Sequence, residues 1–123
     1  MKILKLGVIS VTVKELAQML GYKIINKSDS INKKVTGVYA CDLLSHAMAK
    51  VNEGDVWITV HTNLNVIAVA SLTNCACVMI PENIDIEDQT VERANEKGVA
   101  LLSCSKSSAL ICYEILSALK DMR

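Results

Sequence analysis

The chain has 123 residues, 51% of them hydrophobic, and thirteen basic residues balance thirteen acidic ones. A single domain of this length can bury roughly two-thirds of its unfolded surface, so its core needs no disulfide or metal staple. With no net field to concentrate phosphate backbones, and no basic stripe interleaved with aromatics, nucleic acid is excluded as an expected partner.

The apolar residues are aliphatic: there is no Phe, one Trp and three Tyr. Short blocks of Val, Ile, Leu and Ala suit a parallel sheet covered by helices. No segment approaches the roughly 18 unbroken apolar residues of a membrane span. The start, Met1 to Val11, faintly imitates a signal peptide, but Lys5 interrupts it, Lys14 and Glu15 close it, and no small-residue cleavage site follows. Cys41, Cys75, Cys77, Cys104 and Cys112 make an odd count in apolar surroundings. That usage fits reduced thiols and a cytoplasmic location.

In chain order, Met1 to Leu6 is expected to open the fold as a short strand. Thr12-Val13-Lys14-Glu15 has the form of a capping box, so a helix should run from Val13 to Leu20 and stop at Gly21. On that helix Leu16, Met19 and Leu20 share a face. Tyr22 to Ile25 reads as a strand, Asn26 to Lys34 as a polar surface loop, and Val35 to Ala40 as the next strand. Asp42 is placed to N-cap a helix from Leu43 to Lys50. After Gly54-Asp55, the β-branched run Val56 to Val60 predicts a strand.

The segment Val66 to Leu72 is open to two readings. Its composition allows a hairpin across His61 to Asn65, whereas the alternation of strand and helix elsewhere favours a short buried helix capped by Thr62, Asn63 or Asn65. Ala76 to Ile80 follows as a strand and Pro81 to Asp85 as a loop. Glu87 to Lys97 is an amphipathic helix, acidic at its start, basic at its end and stopped by Gly98. Val99 to Ser103 is the last strand, and Ser105 to Ser108 cap a final helix over 107–119. The units of strand, turn and helix predict one α/β domain over 1–123, a three-layer α/β/α sandwich with a mostly parallel sheet of about five strands.

In such sheets, ligands collect outside the carboxyl ends of the strands. Four polar turns would meet there: Cys41-Asp42, His61 to Asn65, Pro81-Glu82-Asn83 and Cys104 to Ser108. The candidate ligand-binding residues are Cys41, Asp42, Ser45, His61, Asn63, Asn65, Ser105, Ser107 and Ser108. Hydroxyls, backbone donors and Lys106 in the last turn suit an anion, though Ser and Asn are also the ordinary residues of a helix cap. His61 has the chemistry of a ligand contact or a proton carrier. His46, mid-helix, reads as a surface or interface residue. Cys75 and Cys77, two apart, would point to one face of the sheet. No Cys-x-x-Cys occurs, so no metal or other cofactor is expected and the thiols read as small buried hydrophobes. The phosphate loop, the dinucleotide glycine motif and the nucleophile elbow are also missing, and so no catalytic residue is assigned.

At Val35-Thr36-Gly37-Val38-Tyr39-Ala40-Cys41-Asp42-Leu43-Leu44-Ser45, and again at Trp57 to Val60 and Asn65 to Ala70, the sequence resembles the DRTGG domain family. It is similar to small stand-alone members from anaerobic bacteria, often encoded beside iron-only hydrogenase genes, and to the N-terminal domain of HPr kinase/phosphorylase. The resemblance, over about residues 10–120, implies an HPr kinase N-terminal domain-like fold, related to the N-terminal domain of Mur ligases. It also implies a regulatory or dimerising module, not a catalyst. In function, that means a homodimer binding a small anionic or nucleotide ligand or a partner enzyme. A helix face with Leu44, Ala47 and Met48 could supply the dimer contact. The alternative it leaves is a thiol- or metal-dependent redox or hydrogenase-associated accessory protein. Two departures stand out. The family's Asp-Arg turn would fall near His61 to Asn65, where this chain has neither residue. The kinase's phosphate loop also has no counterpart in these residues, which implies no kinase activity.

Overall fold

The computed structural model describes residues 10–121, and the strand expected at Met1 to Leu6 lies outside them. Strand β1 (Val11–Thr12) leads into helix α1 (Val13–Leu20), followed by β2 (Lys23–Ile24), a 3-10 turn (Asp29–Asn32), β3 (Lys34–Val35) and β4 (Gly37–Ala40). The chain then alternates through α2 (Leu44–Lys50), β5 (Asp55–Ile58), α3 (Leu64–Thr73), β6 (Cys77–Ile80), α4 (Asp88–Lys97), β7 (Leu101–Ser103) and α5 (Ser108–Asp121).

The main sheet has the order β2-β7-β6-β5-β4. Strands β4 to β7 are parallel, with Tyr39 beside Trp57, Trp57 beside Val78 and Val78 beside Leu101, while β2 joins the β7 edge antiparallel. Alternate side chains leave opposite faces of a strand, and both faces here are apolar. Val56, Ile58, Cys77, Met79 and Leu102 face α1 and α5, where Val13, Leu16, Ile111 and Ile115 meet them. On the other face Trp57, Val78, Ile80 and Leu101 meet Ala47 of α2, Val66 and Ile67 of α3 and Ala94 of α4. The result is a three-layer α/β/α sandwich with a mostly parallel five-stranded sheet among the described residues.

Local chemistry explains most element ends. The Thr12 hydroxyl accepts from the Glu15 N–H at 3.1 Å and the Glu15 carboxylate accepts from the Thr12 N–H at 3.0 Å, closing the capping box. Gly21 stops α1 in the left-handed region, at φ 75°. The inward face of α1 is Val13, Leu16 and Ala17, and Met19 is turned outward. Residues 64–73 are a helix and not half of a hairpin, as the Asn63 side chain accepts from the Asn65 N–H at 3.0 Å.

Two sequence expectations change. The strand expected over Val35 to Ala40 divides at Thr36, because Val35 pairs antiparallel with Val11 while Gly37 starts the parallel pairing with β5. At the division the Thr36 N–H donates to the Gly54 carbonyl at 2.9 Å, and the two residues pack closely. A Cβ on Gly54, which sits at φ 87°, would lie 2.2 Å from the Thr36 hydroxyl oxygen. The polar loop over Asn26 to Lys34 is also less superficial than its composition suggests, since Asn26 and Ser30 are buried.

Asn26 does the work of one more strand residue. Its side-chain amide donates to the Val99 carbonyl at 2.8 Å and accepts from the Leu101 N–H at 2.8 Å, extending the short β2–β7 ladder. Ser30 donates to the Gly98 carbonyl alongside it. Substituting Asn26→Ala strands a buried donor and a buried acceptor, each costing about 1–3 kcal/mol. Urea unfolding of N26A should show a clearly lowered midpoint with an unchanged slope, while Lys27→Ala, at an exposed neighbour, should unfold like the parent.

Candidate functional site

Because β4 to β7 run parallel, the turns that follow them leave from one edge of the sheet. The candidate residues on that edge fall into two groups separated by β6. Strands β5 and β7 are two strand spacings apart, or roughly 10 Å.

The first group is built around Asp42. Its carboxylate does not cap α2, where Leu43 is the N-cap and no side chain bonds the helix end. Instead Asp42 Oδ1 accepts from the Thr59 hydroxyl at 3.1 Å and from the Val60 N–H at 2.9 Å. The buried Thr59 hydroxyl in turn accepts from the His61 N–H at 3.3 Å. The Trp57 indole N–H donates to the Cys41 carbonyl at 2.9 Å, and the Cys41 thiol donates to the Leu43 carbonyl at 3.4 Å. Asp42 thereby fixes the backbone that carries His61, a half-buried ring. Asn63 is spent on capping α3, Asn65 is exposed in the first turn of that helix, and Ser45 is exposed in the first turn of α2. Thr90 of α4 ties the turn down by donating to the Thr62 carbonyl at 2.6 Å.

The second group joins the turns after β6 and β7. The Glu82 N–H donates to the Lys106 carbonyl at 3.0 Å and the Asn83 N–H to the Cys104 carbonyl at 2.9 Å. Ser107 caps α5, its hydroxyl accepting from the Leu110 N–H at 3.2 Å, with Ser105 exposed and Ser108 half-buried beside it. Lys106 is not the uncommitted cation that the sequence suggests. Its ammonium is paired with the Glu114 carboxylate, which also accepts from the Tyr22 hydroxyl at 2.9 Å. Sequence reasoning missed this Tyr22–Glu114–Lys106 chain and the anchoring hydroxyls of Thr59 and Thr90, as no local pattern announces any of them.

The connections α2, α3 and α4 share one face of the sheet, and α5 lies on the other. The connections leaving the adjacent strands β6 and β7 therefore go to opposite faces, the arrangement in which open α/β sheets usually form a ligand crevice. Here that crevice is stapled by the two backbone bonds from Glu82 and Asn83. Both of these residues adopt left-handed φ values, 58° and 53°, a conformation that costs non-glycine residues about 1–3 kcal/mol each.

The thiols lie apart. Cys77 packs toward α1 and α5, whereas Cys75 packs among the residues under α2 to α4, so the two do not share a face as expected from their spacing. Burial raises the Cys75 thiol to about 11 and the Cys77 thiol well above its ordinary value. Both are therefore thiols, not thiolates, at neutral pH. Among the described residues no three His, Cys, Asp or Glu side chains gather as metal ligands would, and no helix is long and apolar enough to cross a membrane.

Partial burial alone would raise the Glu114 carboxyl, but the hydrogen bonds from Lys106 and Tyr22 and the lysine charge outweigh it and hold the group below its ordinary 4.5. A depressed carboxylate stabilises the fold above its unfolded value and loses that contribution as pH falls through the folded one. Stability should therefore drop as pH falls below about 4.5. In Glu114→Gln the acid limb of a melting-temperature profile should be shallower than in the parent.

A family model described as the DRTGG domain matches residues 15–117. No curated protein matches the chain. Among solved structures it is similar to the CBS and DRTGG domains of the regulatory region of Clostridium perfringens pyrophosphatase, solved in complex with an activator, diadenosine tetraphosphate. The TM-score is 0.68 at 13% identity, covering 85% of this chain and 45% of that one. The chain thus spans less than half the length of that structure, and the likeness is one of fold.

Proposed function

The chain belongs to the DRTGG domain family, and from that premise we propose that it is a non-catalytic regulatory module, a homodimer that senses a small anionic or nucleotide ligand at the carboxyl edge of its sheet. The observation that carries this reading is the shared edge itself. Four parallel strands place His61, Asn65, Ser105 and Ser108 around it, and neighbouring polar groups such as Asp42 and Ser107 are engaged in holding the turns rigid. A ligand reaching that edge meets backbone already ordered, which lowers the entropy cost of binding. The fold neighbour supports the regulatory role, being part of a regulatory region solved with a nucleotide activator.

The dimer contact expected on α2 needs revision. Ala47 is fully buried and Leu44 packs into the core, leaving Met48 and Leu43 exposed. Helix α5 offers a more continuous apolar stripe, with Leu110, Tyr113 and Leu116 exposed at 45%, 68% and 55%. Three large apolar side chains at successive helical turns fit the exposed face of a self-associating helix.

A thermal-shift screen against nucleotides and other phosphorylated metabolites tests the sensing role. A ligand at about 100 times its dissociation constant should stabilise the fold by roughly 2.7 kcal/mol. His61→Ala and Ser105→Ala should reduce that gain without lowering the melting temperature of the free protein. Light scattering should give twice the 13.4 kDa chain mass, falling toward the monomer in Tyr113→Asp. A silent screen with a monomeric parent would overturn the proposal.

A further inference from the structure

Beyond the edge groups, a cavity of about 390 Å³ opens beside β2, on the sheet face covered by α4. Ligand pockets of drug-like and metabolite sites begin at about 300 Å³, so the space suits a small molecule. Its floor is aliphatic: Ile25, Ile84, Ile86 and Val91 line it, each packed against the core cluster of that face. Its rim is charged and mixed in sign. Lys23 comes from β2, paired with Ser103 of β7, and Asp85 and Asp88 come from the segment that enters α4.

The position of this cavity follows from the stapled crevice. The backbone bonds from Glu82 and Asn83 close the gap between β6 and β7 and force two successive non-glycine residues into the left-handed region. The segment that follows, 84–87, must then swing over the β2 edge before α4 begins at Asp88. Asn83 ends on the cavity wall, and the segment carries Ile84, Asp85 and Ile86 there with it. The cavity thus lies one strand outward from the stapled crevice, and the strained turn leads into its wall.

From this lining we infer that the cavity binds a small zwitterion with an aliphatic body, the chemistry of a free α-amino acid with a branched side chain. The Asp85 and Asp88 carboxylates take the ammonium group, Lys23 takes the carboxylate, and the isoleucine floor takes the side chain. A phosphorylated ligand is disfavoured here, because two carboxylates face one lysine. The site is thus separate from the anion-sensing edge proposed above and stands or falls independently of it.

Three probes that share an isobutyl group test the inference: L-leucine, isopentylamine and isovalerate, each titrated into ¹⁵N-labelled protein and followed by amide chemical shifts. L-leucine should shift the amides of Lys23 to Ile25 and Asn83 to Asp88, and isovalerate, which lacks the ammonium group, should not. The double variant Asp85→Asn, Asp88→Asn should weaken L-leucine roughly tenfold, which corresponds to about 1.4 kcal/mol. Lys23→Gln should weaken L-leucine but not isopentylamine. These residues are exposed, and an unchanged far-ultraviolet circular dichroism spectrum shows that each variant is folded. The inference is overturned if L-leucine leaves the cavity amides unmoved at millimolar concentration, if isovalerate shifts them equally, or if the double variant binds L-leucine like the parent.

Discussion

Backbone pairing between very short strands is the constraint on which the rest of the structure depends. Strands β4 to β7 contribute only three or four residues each, so the ladder is continued by groups outside it. The Cys41 N–H reaches the Ile58 carbonyl at 3.1 Å, the Thr59 N–H reaches the Met79 carbonyl at 3.2 Å, and Asn26 extends the far edge with its side chain. Each extension uses a residue that a longer strand would have spared. Buried backbone groups must find partners, and so the polar residues at the strand ends are drawn into structural bonds.

That demand shapes the carboxyl edge of the sheet. Asp42, Thr59, Asn63 and Ser107 look in isolation like ligand contacts, yet each satisfies a backbone donor. In the proposed site, the groups not engaged in this way are the His61 ring, the Asn65 amide, and the Ser105 and Ser108 hydroxyls. The Lys106–Glu114–Tyr22 chain links one end of this edge to the junction of α1 and β2. The Ser-rich turn is therefore tied, through one carboxylate of α5, to the end of α1 in the same helix layer.

The cysteines give a similar lesson. Their count and spacing invite a redox reading, but Cys75, ahead of β6, and Cys77, at its start, sit at 3% and 0% exposure in different core clusters. Desolvation raises both thiols, which suppresses the thiolate needed for metal binding or exchange chemistry. They fill volume in two tightly packed layers, as small hydrophobes do.

Whatever depends on neighbours within one helical turn or one strand was legible in the residues themselves. The Thr12–Glu15 capping box, the stops at Gly21 and Gly98 and the three-layer class follow from local propensity and hydrophobic pattern. Val66 to Leu72, by contrast, is open to a strand or a helix on its own residues, and only the alternation of the rest of the chain favours the helix. Only the tertiary structure decided which partner each polar residue would take. Asp42 bonds across 17 residues to Thr59, and Asn26 across 73 to Val99. Capping and cross-strand bonding make similar demands on a carboxylate or an amide, and so composition does not distinguish them. The split at Thr36, the opposite faces of Cys75 and Cys77 and the closed crevice between β6 and β7 have the same origin. Each depends on how segments far apart in the chain pair and pack, and strand register is set by burial of the sheet faces in the folded molecule.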